Sequence, residues 1–522
     1  MAVGATTLHW SRSPKHRWLM SQRRLHSIPG GISLDLHKSE TQDAASIRLP
    51  IPEKLILSLQ QHVGLAAEPC VTVGQSVLKN ELIATARGYV GMRLHAPTSG
   101  VITAMRPFPV IHPSGLPTSC IELTADGEDK ACELVRVGDP AKLDRKAIYQ
   151  RIADAGIVGL GGAGFPAHVK VRDGTAQTVD TLVINGVECE PYITCDDRLI
   201  QEHPDEVLAG AALIARAINA KECIVAVEED MPSAMGALRG AAPDAIELVS
   251  VPAIYPAGGE KQLITVLTGL EVPTSMLPIN IGVAVLNVAT VVAVFRAVTS
   301  GQPLIERMLT VAGDLREPRN VESLIGTPIQ YLLDYFGFSD RSSHRVLSGG
   351  PMMGTEVLDL RAPVTKTVNC VLALPRDWEE EPERACIRCG ECVRVCPVGL
   401  QPQQLFEASR ISDVDAAQDL HLFDCIDCGC CAYVCPSQIP LVHYFRYAKS
   451  SIEALDRDRA QADLARARYA AHEQRASIQA RTTVLSGIEL ADISSVDAGE
   501  LRNEVAAAVA RTQLKRIDDS GE

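Results

Sequence analysis

Two short cysteine runs constrain this chain of 522 residues more than any other feature. Each run has the spacing C-x₂-C-x₂-C-x₃-C-P, and the eight cysteines are Cys386, Cys389, Cys392 and Cys396 in the first run and Cys425, Cys428, Cys431 and Cys435 in the second. This spacing is typical of paired [4Fe–4S] clusters, where three cysteines of a run bind one cluster and the fourth binds the other. The chain is therefore expected to hold two such clusters.

The spacing also predicts which cysteines act together. One set is Cys386, Cys389, Cys392 and Cys435, and the other is Cys425, Cys428, Cys431 and Cys396. Zinc sites and disulfides are the alternatives, but structural zinc usually takes its ligands as two pairs rather than from two identical runs of four. The other eight cysteines are scattered, which fits a reducing compartment, and Cys430 is expected to be a packing residue.

Composition limits the function classes. The net charge of −14 argues against a nucleic-acid partner, because nucleic-acid binding favours basic patches. Residues 1–34 lack acidic side chains but carry several arginines, and we expect a flexible basic tail; translation could start at Met1 or at Met20. Residues 272–295 carry no charge, yet Pro273, Pro278 and Asn280 favour a buried α/β segment over a membrane span.

The pattern of short elements changes along the chain. Residues 71–105 have the pattern of short strands separated by Gly and Pro turns. Residues 141–300 alternate helix and strand patterns, which predicts a mostly parallel sheet. Farther on, we expect a strand at 308–313, short helices at 321–325 and 328–336, and a strand near 344–350. A long solvated helix is predicted for 443–480, followed by a weakly structured tail with one short helix at 500–511.

A glycine-rich turn and three polar segments make a second constellation. The turn is Gly159-Leu-Gly-Gly-Ala-Gly-Phe-Pro166, and close glycines let a backbone approach a ring or a phosphate. The polar segments are 185–192 after a buried strand, 255–261 after another, and Asn287 within the uncharged run. Ligands of parallel sheets lie beyond the carboxyl ends of the strands, so these segments are expected to form one binding site.

These residues carry a resemblance over 26–450. The segments His26–Ile32, Gly159–Lys170, Asn185–Thr194, Tyr255–Lys261 and Ser348–Met352, with both cysteine runs, resemble the RnfC family, a component of the Rnf electron-transport complex, the ion-translocating ferredoxin:NAD oxidoreductase. The middle of the chain is also similar to the flavin subunit of respiratory complex I. Two positions depart from that relative: Leu160 replaces an arginine and Val187 replaces an acid.

The resemblance implies roles for individual residues. FMN-binding roles pass by position to Gly159, Gly161, Gly164, Lys170, Asn185, Glu188, Tyr255, Gly258, Glu260 and Asn287. Roles towards NADH, and so a place at the catalytic centre, pass to Phe165 and Glu190. The cofactors implied are FMN and two [4Fe–4S] clusters, with NAD(H) as substrate.

The expected fold class is a multidomain α/β and α+β protein. We expect a basic tail at 1–26, a barrel-sandwich or hammerhead domain of biotinyl/lipoyl type at 27–140 and a Rossmann-like FMN- and NADH-binding domain at 141–300. A β-grasp domain of the SLBB type at 301–365, a two-cluster bacterial ferredoxin domain at 366–442 and a C-terminal helix with tail at 443–522 complete the organisation.

The function implied is electron transfer within a larger assembly. Hydride would pass between NADH and FMN, and single electrons would pass through the clusters to partners, since a flavin handles both kinds of transfer. The implied partners are integral-membrane subunits of the same complex and ferredoxin or another cluster protein. The implied location is the cytoplasmic face of the bacterial inner membrane, with ion translocation in the partners.

Two other functions remain open at this point. One is a soluble flavin and iron–sulfur cobalamin reductase, which shares the glycine-rich turn, the β-grasp module and the clusters. The other is a non-catalytic electron-wire subunit whose α/β domain has lost its ligand. Membrane association separates the first from the Rnf-type function, and bound FMN separates the second.

Overall fold

A computed structural model describes residues 23–171, 179–338, 343–376, 382–492 and 498–518. The chain divides into two units, residues 1–446 and 447–522. Most of the basic tail predicted at 1–26 lies outside the described residues. Within the described residues, no helix combines the length and the apolar character that crossing a bilayer requires.

The first part of the chain is rich in short antiparallel strands. Its strands are β1 (Ile47–Arg48), β2 (Lys54–Ser58), β3 (Glu68–Pro69), β4 (Ser76–Val77), β5 (Leu82–Thr85), β6 (Leu94–His95), β7 (Gly100–Phe108) and β8 (Thr118–Ala125), after a 3₁₀ turn at Lys38–Glu40. Seven of them form two sheets, in the orders β2-β8-β7-β4 and β3-β5-β6. Buried aliphatic side chains such as Leu55, Ile102 and Leu123 form their shared core.

A parallel four-stranded sheet follows. Its strands are β9 (Thr181–Gly186), β10 (Glu222–Glu228), β11 (Glu247–Val251) and β12 (Val283–Asn287), in the order β11-β10-β9-β12. The helices are α1 (Arg145–Asp154), α2 (Ala167–Lys170), α3 (Cys195–Glu202), α4 (Pro204–Ile218), α5 (Pro232–Ala241), α6 (Glu260–Thr268) and α7 (Val288–Ser300), with 3₁₀ turns at Pro140–Lys142 and Pro278–Ile281. The predicted alternation of helices and strands is confirmed.

Strand register brings two predicted site residues together. Asn185 of β9 lies directly opposite Asn287 of β12, and both occupy the carboxyl ends of their strands. Asn287 also caps helix α7, because its side-chain oxygen accepts a hydrogen bond from the Ala289 amide at 2.9 Å. The uncharged segment 272–295 therefore forms strand β12 and most of α7.

A mixed six-stranded sheet comes next. Its further strands are β13 (Glu306–Gly313), β14 (Arg319–Leu324), β15 (His344–Ser348), β16 (Thr355–Glu356) and β17 (Cys370–Pro375), and it includes helix α8 (Ile329–Tyr335). The order is β1-β14-β13-β17-β15-β16. The short helix predicted at 321–325 is wrong, because these residues belong largely to β14, which pairs with β13 and with β1. A short apolar run does not by itself distinguish a strand from a helix.

The cysteine runs lie among short helices. These are α9 (Glu391–Arg394), α10 (Pro402–Arg410), α11 (Val414–Asp419) and α12 (Cys430–Tyr433), with a 3₁₀ turn at Leu422–Asp424. Each run contains one of these helices between its second and fourth cysteine.

The end of the chain is more helical than predicted. Helix α13 (Leu441–Asp492) begins in the first unit and extends through the second, and α14 (Ala498–Asp518) follows. The weakly structured tail expected from 483 onwards is therefore wrong for the described residues. Between 453 and 480 nearly every side chain is half-buried or exposed, as expected for a solvated helix.

Candidate functional site

The glycine-rich turn closes on itself. The Gly159 amide donates to the Phe165 carbonyl at 2.7 Å, and the Gly164 amide donates to the Gly159 carbonyl at 3.2 Å. The Leu160 amide donates to the hydroxyl of Thr290, on helix α7, at 2.9 Å. These hydrogen bonds fix the turn beside the carboxyl end of β12.

A cavity of about 750 Å³ lies against this turn, a size typical of cofactor sites. We call it the glycine-lined cavity. Of the residues that the resemblance assigned to FMN or NADH, those that line it are Gly159, Gly161, Phe165, Lys170, Asn185, Glu188, Glu190, Tyr255, Gly258, Glu260 and Asn287. Gly164 is not in its wall: a Cβ there would lie 2.9 Å from the Thr367 side chain, so this glycine packs against the following module.

Lys170 supplies a positive charge to this wall. Its ammonium group donates to Glu260 at 2.9 Å and to the Val285 carbonyl at 3.1 Å. About a third of its side chain remains exposed, at 30%. The lysine is therefore held at the end of β12 and can still meet an anionic group in the cavity.

Asn185 braces the neighbouring loops. Its amide nitrogen donates to the Gly258 carbonyl at 2.9 Å, and its oxygen accepts from the Val187 amide at 2.9 Å. A Cβ at Gly258 would lie 2.5 Å from the Val187 carbonyl oxygen, so only glycine fits there. The two loops that follow β9 and β11 therefore meet across this contact.

Two buried carboxyl groups lie at the start of helix α3. Glu188 accepts hydrogen bonds from the amides of Asp196 and Asp197 at 3.0 and 3.2 Å. Burial, and secondly the charge of Asp196, raise the pKa of Glu188. Burial also raises the pKa of Asp196, although a hydrogen bond from Asn287 opposes this. A carboxyl group with a raised pKa can keep its proton and act as a hydrogen-bond donor.

Sequence reasoning did not identify Arg307, which lies buried behind this pair. Its guanidinium donates to the carbonyls of Lys366, Met308 and Leu160, the last at 3.3 Å. Burial lowers its pKa, and the charge of Asp196 partly opposes that shift. Arg307 therefore supports the glycine-rich turn from the next module. Its local sequence carried no signal, because these contacts join distant segments.

Glu190 and Tyr255 point towards the later modules. The Glu190 carboxylate accepts hydrogen bonds from the amides of Met352 and Met353, at 2.7 and 3.0 Å. The Tyr255 hydroxyl donates to the Cys428 carbonyl at 2.6 Å, and Tyr255 is almost fully buried. One side of the cavity is therefore joined to the cysteine-rich part of the chain.

The turn after β15 forms a further wall that sequence reasoning also missed. Its lining residues are Ser348, Gly349, Gly350, Met353, Gly354 and Thr355. The run Ser348–Met352 contributed to the family resemblance, but nothing in it indicated contact with the cavity.

The eight motif cysteines gather around two small cavities. The outer cysteine site consists of Cys386, Cys389, Cys392 and Cys435. The inner cysteine site consists of Cys396, Cys425, Cys428 and Cys431. Each site combines three cysteines of one run with the last of the other, and Ile426 lines both the inner site and the glycine-lined cavity.

The two sites differ in exposure. Cys389 of the outer site is exposed, whereas Cys396, Cys428 and Cys431 of the inner site are buried. The structure records these cysteines as thiols rather than as disulfides. Four thiols converging on one cavity suit a [4Fe–4S] cluster, which is held by cysteine thiolates.

Three family descriptions match successive parts of the chain. A barrel sandwich hybrid domain of RnfC matches residues 26–128, and the FMN-binding domain of Nuo51 matches residues 152–296. A 4Fe-4S dicluster domain matches residues 385–439. The predicted mixed α/β organisation and the predicted FMN and iron–sulfur cofactors are thereby confirmed.

Whole proteins are similar as well. The C-type component of the ion-translocating oxidoreductase complex of Yersinia pestis is 44% identical over 505 residues, which cover 96% of this chain and 80% of that protein. The protein of the same description from Pseudomonas aeruginosa is 44% identical over 458 residues, covering 86% of this chain and 59% of that protein.

Among solved structures, a NAD⁺-reducing [NiFe]-hydrogenase is 21% identical, with a TM-score of 0.43, over 58% of this chain and 61% of that one. A TM-score at this level does not support a functional comparison. The identity to the Yersinia protein over most of its length does establish the family. The chain belongs to the RnfC family of ion-translocating oxidoreductase complexes.

Proposed function

We propose that this chain is the peripheral subunit through which an ion-translocating complex exchanges electrons with NAD(H). The observation that carries the proposal is the continuity of the glycine-lined cavity with the inner cysteine site. Ile426 lines both, and Tyr255 reaches from the wall of the first to the backbone of the second.

The residues present fit FMN. The cavity is large enough, its glycine-rich turn offers close backbone approach, and Lys170 offers a charge to a phosphate. We propose that Gly159, Gly161, Lys170, Asn185, Glu188, Tyr255, Gly258, Glu260 and Asn287 hold the flavin, with Gly164 shaping the turn from behind. Phe165 would stack on the nicotinamide side.

The cysteine sites fit two [4Fe–4S] clusters, one in the outer and one in the inner cysteine site. The Leu400 amide donates to the Cys396 sulfur at 3.3 Å, and such hydrogen bonds tune cluster potentials. Bound flavin exchanges electron pairs with NADH and single electrons with clusters, so this cofactor set connects the two kinds of transfer.

The outer cysteine site supplies a place for redox partners. Cys389 is exposed, as are Ile387 and Arg388 beside it, so another cluster protein can approach this loop closely. We propose that ferredoxin or a cluster-bearing subunit docks here, with integral-membrane subunits of the same complex nearby. The corresponding location is the cytoplasmic face of the inner membrane.

The modules take their proposed names from these elements. We propose a hammerhead domain at 27–140, and a Rossmann-like domain at 141–300 because its parallel strands run in the order 3-2-1-4. The β-grasp module of the SLBB type would start at 301 and extend to about residue 376, because β17 pairs with β13 and β15. The cluster domain would then run to about 442 and the helical region to 522.

Cofactor analysis tests the proposal. Anaerobically purified protein should contain about eight iron per chain, with FMN, and NADH should bleach the flavin and reduce clusters seen by electron paramagnetic resonance (EPR). Iron near four per chain would reject the two-cluster assignment, and clusters without flavin would favour the electron-wire alternative. Co-purification with membrane subunits rather than with a cobalamin protein excludes the reductase alternative.

Lys170→Ala tests the flavin site itself. Loss of one charge-assisted hydrogen bond of roughly 1.5–3 kcal/mol should weaken FMN retention about ten-fold or more. Lys142→Ala removes an exposed lysine elsewhere and serves as the control, because 84% of its side chain is exposed. Equal FMN retention in both variants would remove Lys170 from the site.

A further inference from the structure

We propose that Glu190 is a positioning residue that holds the Gly349–Met353 turn in place, and that this turn fixes the inner cysteine site relative to the glycine-lined cavity. The proposal rests on the proposed function, because it concerns how the flavin and cluster sites are kept together. It differs from the role towards NADH that the family resemblance implied for Glu190.

The first step is the use made of the carboxylate. One oxygen, Oε1, accepts hydrogen bonds from two consecutive amides, Met352 at 2.7 Å and Met353 at 3.0 Å. Hydrogen bonds to an ionised acceptor are about twice as strong as neutral ones. The carboxylate therefore binds the backbone of the following module directly.

The second step is the close fit of the turn to this side chain. A Cβ at Gly350 would lie 2.1 Å from the Cγ atom and 2.5 Å from the Oε1 atom of Glu190. Such distances exclude any larger residue at 350 while Glu190 keeps its place. The glycine and the carboxylate thus act as a matched pair.

The third step is the opposite side of the turn, which meets the inner cysteine run. A Cβ at Gly429 would lie 3.0 Å from the Met352 carbonyl oxygen. The Met352 side chain packs against Tyr255, Cys428 and Cys430. Glu190 and the inner run therefore grip the same turn from two sides.

Tyr255 provides a parallel connection. Its hydroxyl donates to the Cys428 carbonyl at 2.6 Å, and its ring belongs to the same buried cluster as Met352. Burial raises the pKa of both Glu190 and Tyr255, while the two amide bonds favour the ionised form of Glu190. Loosening the turn should therefore disturb the inner cysteine site even with Tyr255 intact.

Three variants of the full chain, purified anaerobically with cofactors, separate a latch from a direct contact with NADH. Glu190→Gln keeps an oxygen that can accept both amide bonds, whereas Glu190→Ala removes it. Gly350→Ala introduces the clashing Cβ and leaves the carboxylate in the chain. Gly236→Ala, at a helix position where a Cβ meets nothing within 4 Å, is the matched control for Gly350→Ala.

The readouts are the EPR spectrum of dithionite-reduced clusters, which needs no NADH, and the KM and kcat of NADH-dependent reduction. We expect Glu190→Ala and Gly350→Ala to alter the inner-cluster signal and to lower kcat about ten-fold or more, the equivalent of one lost charge-assisted hydrogen bond. Glu190→Gln and Gly236→Ala should stay within about three-fold of the unmodified protein, with unchanged spectra.

Two results would overturn the proposal. A raised KM for NADH in both Glu190→Gln and Glu190→Ala, with unchanged cluster spectra, would assign Glu190 to the dinucleotide. Unchanged spectra and kinetics in Glu190→Ala would leave the latch without effect. Failure of NADH to reduce the unmodified protein would instead reject the proposed function, and the dithionite spectra would still decide the latch.

Discussion

The inner and outer cysteine sites have one spacing and two environments. In both runs the residue before the second cysteine, Arg388 or Asp427, has a positive φ, at 55° and 56°, and the glycine after it, Gly390 or Gly429, has a φ of 82°. The local sequence therefore builds the same loop twice. The surroundings differ, because the outer loop is exposed and the inner loop is enclosed by the cavity wall and the Met352 turn.

The same contrast appears between the second and third cysteines. Glu391 of the outer run is half-exposed and pairs with Arg394, whereas Cys430 of the inner run is fully buried. Ligand identity thus follows from spacing, and the task of each site follows from what packs against it. The inner site is built to receive electrons from within the chain, and the outer site is built to meet a partner.

Replacing one ligand in each site should have the largest effect. Cys428→Ser and Cys389→Ser should each lower iron from about eight to about four per chain. Only Cys389→Ser should keep NADH-dependent reduction of the remaining cluster, because the inner site borders the glycine-lined cavity. Iron analysis and EPR after NADH addition measure both effects, and equal reduction of the remaining cluster in the two variants would remove the distinction.

Exchanging the residues at the matched position should have an intermediate effect. Cys430→Glu places a charge in a fully buried position and should cost about 2 kcal/mol or more, with loss of the inner cluster. Glu391→Cys removes an exposed ion pair and should cost less than about 1 kcal/mol.

Cys430→Ser is the control for the exchange, because it keeps a small side chain and should leave both clusters bound. Thermal unfolding under anaerobic conditions and iron content report the difference. If the two exchanges proved equally harmful, the burial contrast between the loops would not exist in the loaded protein.

Local patterns explain what the sequence could predict. The cysteine sets follow from spacing within each run, and Asn185 and Asn287 were expected at one site because parallel strands end at the same edge of a sheet. These inferences need only neighbouring residues and the fold class. The uncharged segment 272–295 was also correctly assigned to strand and helix, because its prolines and asparagines argue against a span.

Long-range contacts explain what the sequence could not predict. Residues 321–325 have no helix in the structure because β14 finds partners in β13 and in β1, far earlier in the chain. Glu190 meets Met352 across 162 positions, and Arg307 reaches Leu160 across 147. No local pattern encodes such pairs, so the cavity wall after β15 stayed hidden until the modules were packed together.

The smallest expected effect isolates the Met352 contact. Gly390→Ala and Gly429→Ala share a φ of 82°, so each carries the same backbone cost of roughly 1–2 kcal/mol. Only the new Cβ at 429 meets an atom, the Met352 carbonyl oxygen at 3.0 Å, whereas the one at 390 meets nothing within 4 Å. Gly429→Ala should therefore shift the EPR signal of the inner cluster and lower stability by a further few tenths of a kcal/mol, about the size of a small packing strain. Identical spectra in the two variants would mean that the Met352 turn does not press on the inner loop, and that exposure alone distinguishes the sites.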